Sequence, residues 1–496
     1  MVIKNGICYP DESPQPVFEV VGCRALGGKR LRVRFNSGDI RDVDLSPLMS
    51  LPAFKPLSQD EVFRDFSLND GIVTWLDGEI DIAPEWLFDH GETAGHPSDD
   101  VSQFCVAEDP VIYSANGAGR QRWDFTRQRL FPGFDGKFCK VLPSVASDGS
   151  GTALLGFQKL LLTGSDVFYG LFLSKSTDGG RTWGEPVEQT ALADTWEDGF
   201  RVARCATLHH AAKTGRWFAL GMEELFKDDK LPFQECVDGR PYGRPIQVSV
   251  DAGTGRFTGY KALPFPLDYE LAFPFGQVVE CDNGDILVPF YYCPPGAGHR
   301  SRCVTVRYAF RGDSLEVVEA GTPVARDDLD RGIGEPSLAR LGDKVYMTLR
   351  SDEMGQWCES DDDGLTFSAP HPWTWTDGTP IGNRNTQQHW IRCGESLFLA
   401  YTRETPTNGH VFRNRAPIFM AEFDAERRGL VRETEFPLVP ELGARLGNYC
   451  VADVGDGAWL ITAEWMQPQG CERYGSDNSL WLVKVWPETS DTRSPE

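Results

Sequence analysis

The sequence predicts an all-β architecture, a six-bladed β-propeller over residues 100–487, preceded by a small α+β domain over residues 1–95. Three observations lead there. First, six hairpins recur: SDGSGTALLGF, KTGRWFALG, DNGDILVPF, LGDKVYMTL, CGESLFLAY and GDGAWLITA. Their turn glycines are Gly151, Gly215, Gly284, Gly342, Gly394 and Gly457, at intervals of 64, 69, 58, 52 and 63 residues. One four-stranded sheet per period of this length is the pattern of radial repetition. Second, SKSTDGGRTW (174–183) and ESDDDGLTF (359–367) both fit S-x-D-x-G-x-T-(W/F). Third, the composition breaks at HGETAGHPSDD, residues 90–100.

Taken in order, FEVVGCRAL and LRVRFNSGDIRDVDL alternate as strands, with turns expected at Gly27-Gly28 and Ser37-Gly38. SQDEVFRDF reads as a short helix capped by Ser58, and GIVTWLDGEIDIAP returns to strand. The run from DIRDVDLSPLM to WLDGEIDI resembles a small bacterial domain family of unknown function, and brings no chemistry with it. Beyond the break, each hairpin supplies two strands of a blade, and each S-x-D-x-G-x-T segment turns out of the next strand. In these turns Asp178 and Asp362 accept backbone N–H bonds, Ser176 and Ser360 support them, and Gly180 and Gly364 supply positive φ. Trp183 and Phe367 pack beneath. SVDAGTGRF (249–257) is a degenerate third copy. These are structural staples on the rim.

The net charge of −24 repels nucleic acid and anionic membrane alike. No basic n-region precedes an apolar run at the N-terminus, and no apolar run is long enough to span a bilayer. Thirteen cysteines without C-x-x-C spacing read as reduced, mostly buried thiols of a cytoplasmic protein, with no metal site and no cofactor.

In a propeller the first strand of every blade lines the axis, so site residues should lie at matching depths in the hairpins. Counting outward from the Gly342-Asp343 turn sets Glu335 opposite Arg350. Counting from a turn at Asp456-Gly457 sets Tyr449 opposite Glu464. The same depth elsewhere gives Gln158, Glu223, Tyr291 or Tyr292, and Tyr401 to Arg403. On the entering strands it gives Lys140, Arg204 and the run Arg384 to His389.

With its two turns and six hairpins, the region 100–487 resembles the sialidase (neuraminidase) superfamily, whose blades carry such Asp-box (BNR) turns. The resemblance implies an exo-acting glycoside hydrolase that removes a terminal acidic sugar from a carbohydrate substrate. FCKVLPS matches the family's first-arginine strand and places Lys140 where the family has arginine, a point charge in place of a planar fork. The resemblance further implies Asp166 in LTGSDVFYG as acid, Tyr449 as nucleophile and Glu335 as the base that takes its proton. Arg350, Arg384 and Lys140 would hold the anionic group, with Arg204 and Glu464 beside it; Arg413 and Arg415 are the alternatives to Arg384. His389 in GNRNTQQHWIRC lies outside the usual pattern. A histidine at the mouth suits a lyase or rhamnosidase-type enzyme instead. A non-catalytic carbohydrate-binding propeller is the third expectation.

Overall fold

The computed structural model describes residues 2–4, 7–9, 20–35, 39–69, 72–76, 79–95, 123–162, 166–227, 240–383 and 385–487. The chain divides into two compact units, Met1–Asp109 with Cys471–Gly475, and Pro110–Gly470 with Ser476–Glu496.

In the first unit the alternation of LRVRF works as expected. Leu31, Val33 and Phe35 are buried, while Arg32 points outward and clamps Asp42 with two bonds of 2.6 and 2.7 Å. Strands Val20–Gly27, Arg30–Phe35, Ile40–Asp44 and Glu92–Gly95 form one antiparallel sheet. Phe66–Asn69, Ile72–Trp75 and Ile80–Ile82 form a second. Helix Pro84–His90 adds Leu87 to the shared core, and Trp75 donates its indole N–H to the Phe63 carbonyl at 2.9 Å. Two local expectations change. Gly27 pairs with Arg30, so the turn is Gly28-Lys29; both residues have positive φ, as a two-residue hairpin turn of this hand requires. Ser58 closes a 3-10 turn by donating to the Lys55 carbonyl and does not cap the helix that starts at Asp60. The expected Ser37-Gly38 turn lies outside the described residues.

The second unit consists, among the described residues, of six successive antiparallel meanders. The first is Phe138–Ser147, Ala153–Leu161, Phe168–Ser176 and Val187–Glu188. The second is Phe200–Ala211, Arg216–Phe226, Gly243–Asp251 and Arg256–Ala262, with an extra strand Thr195–Glu197. In the third, Leu271–Pro274 and Val279–Glu280 both pair with Ile286–Cys293, which continues to Arg302–Arg311 and Ser314–Ala320. The fourth is Gly334–Leu341, Lys344–Arg350, Gln356–Ser360 and His371–Pro372. The fifth runs through His389–Cys393, Ser396–Tyr401 and Ile418–Asp424. In the sixth, Tyr449–Val454, Gly457–Ala463 and Leu480–Pro487 are completed by Trp123–Leu130 from the other end of the unit.

Apolar side chains fill the space between consecutive meanders. Leu154 and Leu171 of the first meet Leu208 and Ile246 of the second. Tyr346 and Trp357 of the fourth meet Trp390 and Phe423 of the fifth, in a cluster that also takes up Trp373 and Trp375. The sixth packs back on the first, with Ile461 and Leu482 against Val145 and Leu155.

The two S-x-D-x-G-x-T turns have the predicted chemistry. The Ser176 hydroxyl donates to Asp178 Oδ1 at 2.7 Å and accepts from Gly180 N at 2.8 Å; Asp178 in turn accepts from the Thr182 amide and hydroxyl at 3.0 and 2.6 Å. Ser360, Asp362, Gly364 and Thr366 repeat the pattern at 2.7, 2.9, 2.8 and 2.6 Å. These donors hold both carboxyls below their ordinary range. Gly180 has a φ of +72°, and a Cβ there would meet the Trp459 ring at 2.8 Å, so conformation and close packing both require glycine. Trp183 and Phe367 pack at the edge of the neighbouring cores. Asp251 forms a related turn, accepting from Gly253 N and the Thr254 hydroxyl at 2.9 and 2.7 Å.

Candidate functional site

The first strands of the meanders carry two similar interruptions. Leu142-Pro143-Ser144 and Glu335-Pro336-Ser337 each break the pairing register. Leu142 and Glu335 have φ of +45° and +48°, uncommon for residues with a Cβ. Proline cannot donate to the ladder, so the strand bulges there and the residue before it is re-aimed. The consequence at residue 335 is chemical. Arg350 lies opposite Gly334, not Glu335 as counting from the turn had it. Glu335, released from the ladder, turns back and forms an ion pair with Arg350 Nη1. Arg350 Nε donates to Asn385 Oδ1 at 2.6 Å.

Beside Pro336, which packs on Gly276, the first strands and their approaches border a small open cleft. Leu142-Pro143, Cys205–Thr207, Phe275-Gly276, Gln387 with His389, and Asn448–Cys450 line it, from five different meanders. Charge gathers around this floor. Arg415 is buried, and burial together with the repulsion of Arg350 lowers its pKa to about 9. Its aliphatic stem lies against Gly447, where a Cβ would come within 2.4 Å of Arg415 Cδ. Asn408 fixes the loop that carries Arg413 and Arg415 by donating to the Arg403 and Ala416 carbonyls, each at 2.8 Å. Arg445 is equally buried, its guanidinium 3.3 Å from the Trp465 ring centroid. Burial lowers its pKa to about 10, the charge of Asp166 opposes that shift, and Arg413 and Arg350 add to it. The Nε atoms of Arg415 and Arg445 have no hydrogen-bond partner among the described residues.

Acidic groups face this cationic cluster. Burial, reinforced by the negative charge of Asp166, raises the Glu224 carboxyl to about 8. Tyr291 couples electrostatically to Glu335, Glu224 and Arg350; burial and the two carboxylates push its phenol well above the ordinary range. Four guanidinium groups, three carboxyls and one phenol thus share one field.

Of the residues singled out from sequence, Asp166, Glu335 and Arg350 come together here, as do the two alternatives Arg413 and Arg415. Arg384 lies outside the described residues. The others are placed differently. Tyr449 pairs with Thr462, not Glu464, because the turn is Gly455-Asp456. Its hydroxyl donates to the carbonyls of Gln387 and Ala400 at 2.7 and 3.0 Å, and burial, then the nearby Glu335 charge, raises its pKa well above the ordinary value. Both effects oppose a nucleophile. Glu464 is buried and fully used; it accepts from Arg129, Trp481 Nε1, and the amides of Asp477 and Ser479 at 2.9, 2.9, 2.7 and 3.1 Å.

Arg204 is buried as well. Its Nε donates to Glu223 at 3.1 Å, its Nη1 to the Ala193 carbonyl at 2.7 Å and its Nη2 to Thr195 at 3.0 Å. Lys140 turns its ammonium to the Asn478 carbonyl at 2.8 Å, anchoring a loop. His389 is 1% exposed, with Nδ1 3.0 Å from the Ser337 hydroxyl, and burial lowers its pKa to about 3. It is a neutral ring in the floor, without the near-neutral titration of an acid at the mouth.

Sequence reasoning missed Arg445, Glu224 and Asn448. The sequence count selects Glu223, but that carboxylate is buried in ion pairs with Arg204 and Arg244, at 3.1 and 2.7 Å, and alternation sends Glu224 to the other face. Tyr291 had been one of two neighbouring choices.

Comparison with known proteins gives a family match for the N-terminal segment and sialidase-like structural neighbours for the chain. Residues 20–93 match the family model described as "Protein of unknown function (DUF2442)". No curated protein matches the chain. A protein of unknown function from Dyadobacter fermentans is 18% identical, with 73% of this chain and 99% of that chain covered and a TM-score of 0.52. NanB, the sialidase of Streptococcus pneumoniae, solved with optactamide, is 10% identical, with 95% of this chain and 92% of that chain covered and a TM-score of 0.51. Trypanosoma rangeli sialidase is 14% identical over 72% of this chain, which spans 59% of that enzyme's length, at a TM-score of 0.47. The chain is all-β with a sialidase-like fold, and its N-terminal unit carries a DUF2442 segment.

Proposed function

We propose that the larger unit is a six-bladed propeller and a glycoside hydrolase acting on a carboxylate-bearing sugar in the axial cleft. The wheel is supported by the six meanders, the packing of the sixth on the first, and the closure of the sixth sheet by Trp123–Leu130. One observation carries the substrate class. In a chain of net charge −24, the buried guanidinium groups of Arg415 and Arg445 lie in one field with Arg350 and Arg413. Such a cluster is costly unless an anion completes it, and guanidinium forks fit a carboxylate.

The chemistry follows from the carboxyls. Glu224, held protonated near neutral pH, donates its proton to the leaving glycosidic oxygen. Glu335 takes a proton from the water that forms the new bond at the anomeric carbon. Arg350 holds Glu335 in place, and burial, reinforced by the Asp166 charge, keeps Glu224 protonated. This assignment replaces Tyr449 with an acid and base pair of carboxyls. The second reading, a carbohydrate binder without turnover, is favoured by one fact, the sequestered Tyr449 hydroxyl.

Mass-spectrometric screening of the full chain against methyl glycosides and oligosaccharides of acidic sugars tests the proposal. Turnover is expected for at least one acidic sugar. It is abolished by Arg415→Met through loss of binding, and by Glu335→Gln with binding retained. Binding without product in the wild type establishes the second reading, and preference for neutral sugars overturns both.

A further inference from the structure

Trp196 is 71% exposed, the most exposed large apolar side chain among the described residues. It sits in the extra strand Thr195–Glu197, which pairs with the start of Phe200–Ala211 through the two-residue turn Asp198-Gly199. Both turn residues have positive φ, 51° and 84°, the conformation that gives a tight, twisted hairpin. Its neighbours are tied down. Thr195 accepts from Arg204 Nη2 at 3.0 Å, and Glu197 accepts from Arg240 Nη2 at 2.7 Å. Adjacent residues of a strand point to opposite faces, so holding 195 and 197 on one side presents the indole on the other.

This hairpin is built onto the site. Trp196 lies directly opposite Arg201, and Arg201 directly opposite Phe226. Arg201 Nη1 donates to the Phe168 carbonyl, two residues beyond Asp166, at 2.7 Å, and its guanidinium lies 4.5 Å over the Phe226 ring. Glu224 is two residues from Phe226 on the same strand. Two strand spacings across and two residues along separate the Cα atoms of Trp196 and Glu224 by about 12 Å. That is roughly the span of two linked sugar rings. A large aromatic face left in water suits the apolar face of a pyranose.

We propose that Trp196 is the platform for a neutral sugar unit on the leaving-group side, so that the substrate is an oligosaccharide and not a simple glycoside. The inference rests on the glycan-directed reading of the cleft. It is tested on the full chain as wild type, Trp196→Ala and Trp196→Phe. Lactose is titrated by calorimetry as the neutral probe, and turnover of 3′-sialyllactose is compared with that of the methyl glycoside of the same acid. The wild type is expected to bind lactose at tens of millimolar. Trp196→Ala is expected to lose this binding and to raise KM for the trisaccharide about tenfold, with kcat and the methyl glycoside unchanged. Trp196→Phe should recover part of the loss. Lactose binding that depends on Trp196 without turnover of either glycoside keeps the platform and removes the hydrolase. No lactose binding by the wild type, or equal binding by Trp196→Ala, overturns the platform whatever the enzyme hydrolyses.

Discussion

Replacing Glu224 by Gln should make the protein more stable at alkaline pH and, on the proposed function, lower its turnover. The Glu224 carboxyl rises from its ordinary 4.5 to about 8, through burial and the Asp166 charge. The folded state therefore holds this proton more tightly than the unfolded chain does. As the pH rises from about 4.5 to about 8, the unfolded chain gives up the proton first, and stability falls with pH across that window. Above about 8 both states are ionised and the loss is constant. At about 1.4 kcal/mol per pH step, the full difference is about 5 kcal/mol, an upper value because water entry and movement of Asp166 discount it. Gln is neutral throughout and avoids this loss. Urea unfolding of wild type and Glu224→Gln at pH 4 and pH 9 reads the gap directly. The gap should be near zero at pH 4 and amount to several kcal/mol in favour of the variant at pH 9. Turnover by the variant should drop by about 10²- to 10⁴-fold, as expected for a missing general acid. A gap that does not change with pH would refute the placement of Glu224 beside Asp166 in an enclosed site.

Two further substitutions separate structure from chemistry. Tyr449→Phe removes a hydroxyl that donates to two buried carbonyls, at 2.7 and 3.0 Å; stability should fall by about 1–2 kcal/mol while turnover stays within a factor of two. A loss of turnover beyond a hundredfold at unchanged stability would reinstate Tyr449 as nucleophile. Asp178→Ala strips the first turn of its acceptor and should cost about 1–2 kcal/mol at neutral pH. Because the folded carboxyl lies below its ordinary value, this stability exists above the ordinary carboxylate range and vanishes as the pH falls through the folded pKa, so the difference in urea midpoint should close in acid. A difference that persists in strong acid would show that the turn does not depend on the carboxylate.

The periodic features of the chain were legible because each follows from local rules. A turn must have residues that tolerate its φ values, and a strand buried on one face must alternate. The errors arose where two local rules compete. GDGA at 455–458 offers two possible two-residue turns. The one used begins with Gly455 at φ +61°, like Gly342 at +57° and Gly394 at +57° in the neighbouring hairpins. Gly457 is kept for a different reason, since a Cβ there would meet the Val485 carbonyl at 2.2 Å. Choosing the wrong glycine as the turn moved the partner of Tyr449 by two residues and created the false pair with Glu464. The reverse happened at Glu335. Direct opposition to Arg350 was the wrong geometry, yet the ion pair forms, because the bulge at Pro336 returns the side chain to the same place.

The cationic cluster explains why the site itself was harder to read than the fold. Arg350 ends a second strand, Arg413 and Arg415 lie in a loop held by Asn408, and Arg445 sits on the approach to the last meander, bridged to Trp465. These positions share no depth in the hairpins, so no period in the sequence connects them. What connects them is mutual repulsion in the folded unit, a property the linear sequence does not display. Under the proposed function, the same repulsion would supply a selection rule. An incoming carboxylate gains from every guanidinium at once, whereas a neutral sugar would leave buried, unpaired donors such as the Nε atoms of Arg415 and Arg445 uncompensated. On the proposed function, the site would discriminate by charge before shape. Neutralising any one of the buried arginines should weaken the remaining preference for acidic over neutral ligands by more than a surface charge of equal sign would.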